Sequence, residues 1–459
     1  MLRSIMVLAS LLAAAACNGP VQPPAIEQRG EAQQLIVKGE PFLMLAGELG
    51  NSSAEPAFLD PHWQTFDALG LNTILAPVYW ELIEPEEGRF DFSTVDGLIT
   101  QARLHETKLV LLWFGTWKNS MSSYAPAWVK RDTDRFPRAR TEAGRTVEII
   151  TPFSDAAMAA DGAAFGALLR HLSQVDAREQ TVVMVQVENE IGMLGSARDH
   201  SALADAAFVR PVPAELRAEL DRRGEAISPE LAAVYDQAAP ADASWEGVFG
   251  RSLLTDEIFM AWQFGRYVEA VAQEGLAAYD LPLYVNAALW RPGVAPGDYP
   301  SAGPLPHIKD VWEAAAPSLD MLALDIYFEN FVHWTGRYDW PGNPMFVPEA
   351  NRAGRSDAGA NAFYVIGEHA AMGFSPFSIE SIADPEDNAL TDAYRVLDGM
   401  APAILDAQAR GAQHVQVVGA VADRAGVGGQ QPARGRKLDQ RLQLGGAPQH
   451  RVPHLAGHL

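Results

Sequence analysis

Cysteine is almost absent: Cys17 is the single one in 459 residues, so the chain can form no internal disulfide and offers no cysteine cluster for a metal. Positive charge is also scarce. Thirty-five Lys and Arg face 58 Asp and Glu, a formal net charge of −23. That balance argues against nucleic acid and anionic membrane surfaces as partners, both of which want basic patches. It suits a neutral substrate. No Gly-rich loop follows the first apolar strand, so no nucleotide cofactor is expected. The 11 histidines are scattered, four of them (His414, His450, His454 and His458) in the last segment. Neither a metal nor any other cofactor is expected. Aromatic residues stop at Tyr394. Residues 412–459, dense in Gly, Gln, Arg and Pro, lack the apolar surface to offset their ordering entropy and read as a disordered tail.

Long apolar runs are missing too. The longest, Ile5 to Ala16, is too short to span a bilayer but has the size of a signal-peptide core, with Arg3 before it. The alanines before Cys17 give residues 1–17 the look of an export signal ending at a lipidation site. The chain is therefore expected to be exported, to the periplasm or held on the outer membrane through a lipid on Cys17. That anchor is the one membrane contact expected. Residues 18–33, rich in Pro and Gln, read as a linker.

What remains, residues 34–411, alternates strand and helix signals. Gln34 to Leu45 reads as a hairpin turning at Lys38-Gly39 and running into a buried strand. Further strands are expected at 72–78, 108–114, 182–187, 283–286, 321–325, 344–347 and 374–379. Helices are expected after Asp60-Pro61, at 96–106, 154–173 and 361–372, with another capped by Thr255. A helical insertion, 194–250, interrupts the series. Eight strands that are apolar throughout, with helices between them, imply an α/β fold: a closed parallel (β/α)8 TIM barrel.

Such barrels place their chemistry at the C-terminal ends of the strands. The polar residues there are Glu48 and Asn51, then Tyr79, Trp80 and Glu81, then Trp113, Trp117 and Asn119. Asn189 and Glu190 follow the fourth strand, Asn286 and Trp290 the fifth, Tyr327 the sixth, Glu349 the seventh and Glu380 the eighth. Carboxylates, amides and aromatics on one rim suit a carbohydrate: acids and amides bond hydroxyls, and indole faces stack on sugar C–H surfaces. Glu190 and Glu349, each ending a buried strand and far apart in sequence, form the pair of carboxylates that cleavage of a sugar acetal requires. Glu188, before the Asn-Glu pair, reads as a structural or hydroxyl-binding residue rather than the acid.

Four segments carry a family resemblance. They are Gly47-Glu48-Leu49-Gly50-Asn51-Ser52-Ser53, Pro77-Val78-Tyr79-Trp80-Glu81-Leu82-Ile83-Glu84-Pro85, Gln186-Val187-Glu188-Asn189-Glu190-Ile191-Gly192 and Val347-Pro348-Glu349-Ala350. Over roughly 35–405 the chain resembles glycoside hydrolase family 35, the β-galactosidases. The resemblance implies an exo-acting retaining enzyme with Glu190 as acid/base and Glu349 as nucleophile. It also implies that Asn189 bonds the sugar 2-hydroxyl and that Tyr327 holds the nucleophile. The third strand departs from the commoner pattern, ending Trp113-Phe114-Gly115-Thr116-Trp117-Lys118-Asn119. That resembles a bacterial branch, some of whose members act on xyloglucan side chains. Other glycosidases of the clan, acting on mannan or glucan, and an inactive carbohydrate-binding barrel remain the alternatives. Nothing in the sequence fixes the oligomeric state.

Overall fold

The computed structural model describes residues 22–290 and 293–411. The expected signal segment with Cys17, and the expected tail at 412–459, lie outside the described residues. Eight parallel strands close into a barrel: β1 Met44–Glu48, β2 Thr73–Tyr79, β3 Lys108–Lys118, β4 Val182–Asn189, β5 Leu283–Ala288, β6 Met321–Ile326, β7 Val347–Ala350 and β8 Gly373–Pro376. They neighbour one another in chain order, and β8 pairs with β1 to shut the ring. The expected (β/α)8 architecture is what forms.

The strands are buried along their whole length, as they must be when side chains fill the barrel on one face and helices cover the other. Tyr394, on the last helix (Ala389–Ala409), reaches between β1 and β8 and donates to the carbonyls of Ala46 (2.8 Å) and Phe374 (2.7 Å). The two longest covering helices before it, Asp155–Val175 and Leu253–Leu276, meet through glycine. A Cβ on Gly275 would lie 2.3 Å from the ring of Phe165.

Several boundaries differ from expectation. Residues 25–33 are not linker: Ala25–Arg29 pairs antiparallel with Ala32–Val37, and Glu31 N bonds Ala409 O at 2.9 Å. Gly30 and the glutamates Glu27 and Glu31 lower strand propensity, but pairing to a buried neighbour overrides propensity here. The expected turn at Lys38-Gly39 is present, both residues at positive φ (53° and 83°). The helix expected from Asp60 starts earlier, at Pro56, and passes through a 3-10 turn before Trp63–Leu69. The helix expected to be capped by Thr255 is capped by Ser252, whose hydroxyl accepts from Thr255 N at 3.1 Å. β3 overruns its expected end by four residues and β4 by two, and both overruns shape the site. The insertion after β4 contains the helices Ala202–Phe208, Ala214–Arg223, Pro229–Ala232 and Trp245–Phe249.

Candidate active site

β4 ends in an irregular backbone: Glu188 has φ 61° and Glu190 φ 44°. Non-glycine residues so placed cost on the order of 1–3 kcal/mol each and persist only where neighbours enforce them. The enforcement is visible. Glu188 accepts from Thr116 N (3.1 Å) and Trp117 N (2.6 Å), while Gln186 Nε2 donates back to Glu188 O at 2.8 Å. Beside it, Asp161 accepts from Trp113 Nε1 (2.8 Å) and Thr116 Oγ1 (2.6 Å). Burial pushes the Glu188 carboxyl well above the ordinary range, and the adjacent Asp161 adds to the rise. This acid pair clasps the end of β3 to β4.

Beyond the clasp, β3 ends in a tight turn. Lys118 and Met121 exchange backbone hydrogen bonds of 2.8 and 3.0 Å around Asn119 and Ser120, both at positive φ. The turn delivers two contacts to the acid. Ser120 N donates to Glu190 O at 3.1 Å, and the Asn119 amide donates to the Glu190 carboxylate.

Across the barrel mouth, Glu349 lies within β7, paired in register with Asp325 of β6. One carboxylate oxygen from each of Glu190, Asp325 and Glu349 lies within 4.8 Å of the others. Asn286, on β5, binds the group together: its Oδ1 accepts from Glu190 N at 2.9 Å and its Nδ2 donates to Asp325 at 2.6 Å. The Tyr327 hydroxyl donates to Glu349 Oε1. Glu48, ending β1 and 1% exposed, completes the ring of acids.

Crowding of carboxyls in a dry site has a predictable electrostatic result. Burial first, then the charge of Glu349, raises Glu190 to about 7. The same two causes push Glu48 and Asp325 well above their ordinary range. Burial and the same neighbour also push the Tyr327 phenol upward. A Glu that holds its proton to near neutrality suits the part of a general acid.

Several buried polar atoms here lack a partner: Glu48 Oε1, Asn51 Oδ1, both side-chain heteroatoms of Asn189, Asp325 Oδ1 and Glu349 Oε2. Buried polar atoms are rarely left unbonded, and these gather around the acids, where a polyhydroxylated ligand would satisfy them. A cavity of about 560 Å³ opens over Glu190 and Glu349, walled by Asn51, Lys118, Asn119 and Tyr327. A smaller one of about 340 Å³ adjoins it past Glu190, against Leu289, Tyr299 and Phe328.

The structure thus brings together Glu48, Asn51, Asn119, Asn189, Glu190, Tyr327 and Glu349. It does not bring Trp80 and Trp113. Both are 0% exposed, their indole N–H groups bonded to Glu84 (2.8 Å) and Asp161. They are core residues, because each indole points outward from the barrel to a buried acid. Tyr79 packs its ring on Tyr124 (5.2 Å between centroids) and is not among the cavity's lining. Glu380 accepts from Gly50 N and Ser53 Oγ (2.7 Å), fixing the turn that carries Asn51. Asp325 and Lys118 were not anticipated. Each is the charged residue at the end of an apolar strand, Leu322-Ala323-Leu324-Asp325 and Trp113-Phe114-Gly115-Thr116-Trp117-Lys118, and that signal was available.

A closed (β/α)8 barrel with glutamates at the ends of its fourth and seventh strands is the arrangement that the sequence resemblance implies. Residues 34–217 match the family model of Glycosyl hydrolases family 35. The likeness to that family seen in the sequence is thereby shown over this stretch. A β-galactosidase of Xanthomonas manihotis is 28% identical over 209 residues, 44% of this chain and 31% of that protein. Among solved structures, the fold is similar to the β-galactosidase of the psychrophilic Marinomonas ef1 (TM-score 0.52, 13% identity, 79% of this chain and 61% of that one). It is equally similar to that of Bacillus circulans sp. alkalophilus (TM-score 0.52, 16% identity, 79% and 57%). At such identities the structural likeness speaks for the fold alone. The chain spans under a third of the curated relative it matches and about three-fifths of these solved chains.

Proposed function

We propose that this chain is a retaining exo-β-galactosidase, removing terminal β-galactosyl residues from oligo- or polysaccharides by double displacement. Glu190, protonated, gives its proton to the leaving oxygen while Glu349 attacks the anomeric carbon. The covalent galactosyl-enzyme is then hydrolysed by water from which Glu190 takes a proton. The observation that carries this reading is the approach of Glu190 and Glu349, with oxygens within 4.8 Å. Retaining pairs stand about 5–5.5 Å apart, whereas inverting pairs need roughly 6.5–9.5 Å to admit a water between acid and sugar. The galactosyl preference is supported by the family match and by the β-galactosidase names of the relatives.

The test is hydrolysis of nitrophenyl β-galactoside by the full chain, beside Glu349→Ala with and without azide. Activity lost in the variant and restored by azide, with α-galactosyl azide as product, supports the reading. A β-galactosyl azide, or cleavage of glucosides or mannosides only, overturns it. Export and lipidation at Cys17 stand as a separate proposal, tested by metabolic labelling with palmitate, which Cys17→Ser should abolish.

A further inference from the structure

One cation sits inside the ring of acids. Lys118, at the tip of β3, is 5% exposed, yet it lines the cavity over Glu190 and Glu349. Its ammonium lies 5.1 Å from the centroid of the Phe114 ring. Among the described residues it makes no ion pair, and its Nζ donates no hydrogen bond. The two other cations around the cavity differ from it: Arg352 and Arg355 are exposed, and Arg355 is tied to Asp357 by two bonds of 3.0 Å. The ammonium donors of Lys118 are therefore left facing the cavity, open to water or to a ligand.

The chemistry of the surroundings says what that ligand offers. Glu48, Glu190 and Asp325 lie close enough to Lys118 to feel its charge, and Glu349, which accepts from the Tyr327 hydroxyl, lines the same cavity. Ionised carboxylates only accept hydrogen bonds, whereas an ammonium brings three donors and no acceptor. A sugar hydroxyl does both, so one that donates to a carboxylate and accepts from Lys118 is fixed in direction as well as in position. We propose that Lys118 contacts the substrate, its ammonium donating to a hydroxyl of the bound glycosyl residue, and that this contact sets which sugar epimer is accepted. This rests on the glycosidase reading of the site. The same charge acts on the acids: it draws Glu190, Glu48 and Asp325 back down against burial.

The experiment compares the full chain with Lys118→Met and Lys118→Gln, on nitrophenyl β-galactoside and β-glucoside across pH, with galactose binding measured by calorimetry. Hydrogen bonds to a charged group are worth about 1.5–3 kcal/mol, or roughly 10–100-fold. The expected result for both variants is a loss of that size in kcat/KM for the galactoside, carried mainly by KM. A narrowed galactoside-to-glucoside ratio, an alkaline limb moved to higher pH and weakened galactose binding should accompany it. A variant that melts as the parent does and keeps KM, the epimer ratio and galactose affinity overturns the proposal. The Gln variant, polar and of similar length, serves if Met disturbs folding. If the parent hydrolyses neither glycoside, the reaction assigned above falls. Lys118 is then decided by binding alone: galactose bound by the parent and released in both variants supports it, and galactose unbound by the parent overturns it.

Discussion

The side-chain amide of Asn119 donates to the carboxylate of Glu190, from a turn that belongs to β3 onto an acid that belongs to β4. The bond stabilises the ionised acid and so opposes the rise that burial and Glu349 impose. Asn119→Ala removes it without touching Glu349. The expected result is an alkaline limb displaced upward from its value in the parent, and a fall in kcat/KM of about tenfold for natural glycosides. A pH–rate profile on a substrate with a poor leaving group checks both, because only there is proton donation demanding.

Glu190 itself should make the protein's stability depend on pH. Its carboxyl ionises near 4.5 in an unfolded chain and near 7 in the fold. The folded state holds the proton more tightly, so its contribution is fully present below about pH 4.5 and is lost as pH rises through about 7. Glu190→Gln is uncharged in both states and escapes that loss. The variant should be dead as a catalyst yet more stable than the parent at pH 8, by on the order of 2–3 kcal/mol. At pH 4 the two should melt together. Thermal melts at the two pH values decide it, and a Gln variant less stable at pH 8 would sink the argument.

Tyr327→Phe tests the other acid. The phenol is the donor seen on Glu349 Oε1, and its ring otherwise flanks the cavity against Phe377. Phenylalanine keeps the ring and deletes the donor. Loss of a bond to the acid proposed as nucleophile is expected to cost about 10–100-fold in kcat, with KM nearly unchanged. A rise in KM alone, with kcat intact, would instead place the phenol on the substrate.

The barrel was legible in the sequence because its strands are buried on both faces and therefore continuously apolar, as in Val182 to Val187. Glu190 and Glu349 were legible because a polar residue ending such a run has one place to go. The two tryptophans were not. Trp80 and Trp113 close apolar runs in the sequence as the true rim residues do. Trp113, however, lies inside β3, which runs on to Lys118, and Trp80 opens a short helix; their indoles bond the buried Asp161 and Glu84. Periodicity cannot tell which way a side chain leaves a strand that bulges, and the register between β3 and β4 shifts between Trp113 and Lys118. The strand at Ala25–Arg29 was missed for another reason: it is one arm of a short hairpin turning at Gly30-Glu31, and its polar composition does not announce a strand.

That shifted register depends on a glycine. A Cβ on Gly115 would lie 2.4 Å from Trp113 Nε1, 2.7 Å from Glu188 Oε1 and 2.8 Å from Asp161 Oδ1. All three belong to the clasp, whose bonds prevent them from swinging aside. Gly115→Ala must then lengthen the Trp113–Asp161 bond or part Glu188 from Thr116 N, at about 1–3 kcal/mol for overpacking. The consequence should reach the site, since β3 beyond Gly115 carries Lys118 and Asn119, and Glu188 holds the backbone from which Glu190 projects. The expected outcome is a lowered melting temperature together with a kcat loss that cooling does not recover. Gly275→Ala supplies the contrast. Its Cβ would press on Phe165 at 2.3 Å between two outer helices, so it should lower the melting temperature while leaving kcat at low temperature intact. If Gly115→Ala behaved in the same way, the clasp would be a stabilising feature only, and the placement of Asn119 and Glu190 would have to come from the turn at Ser120 alone.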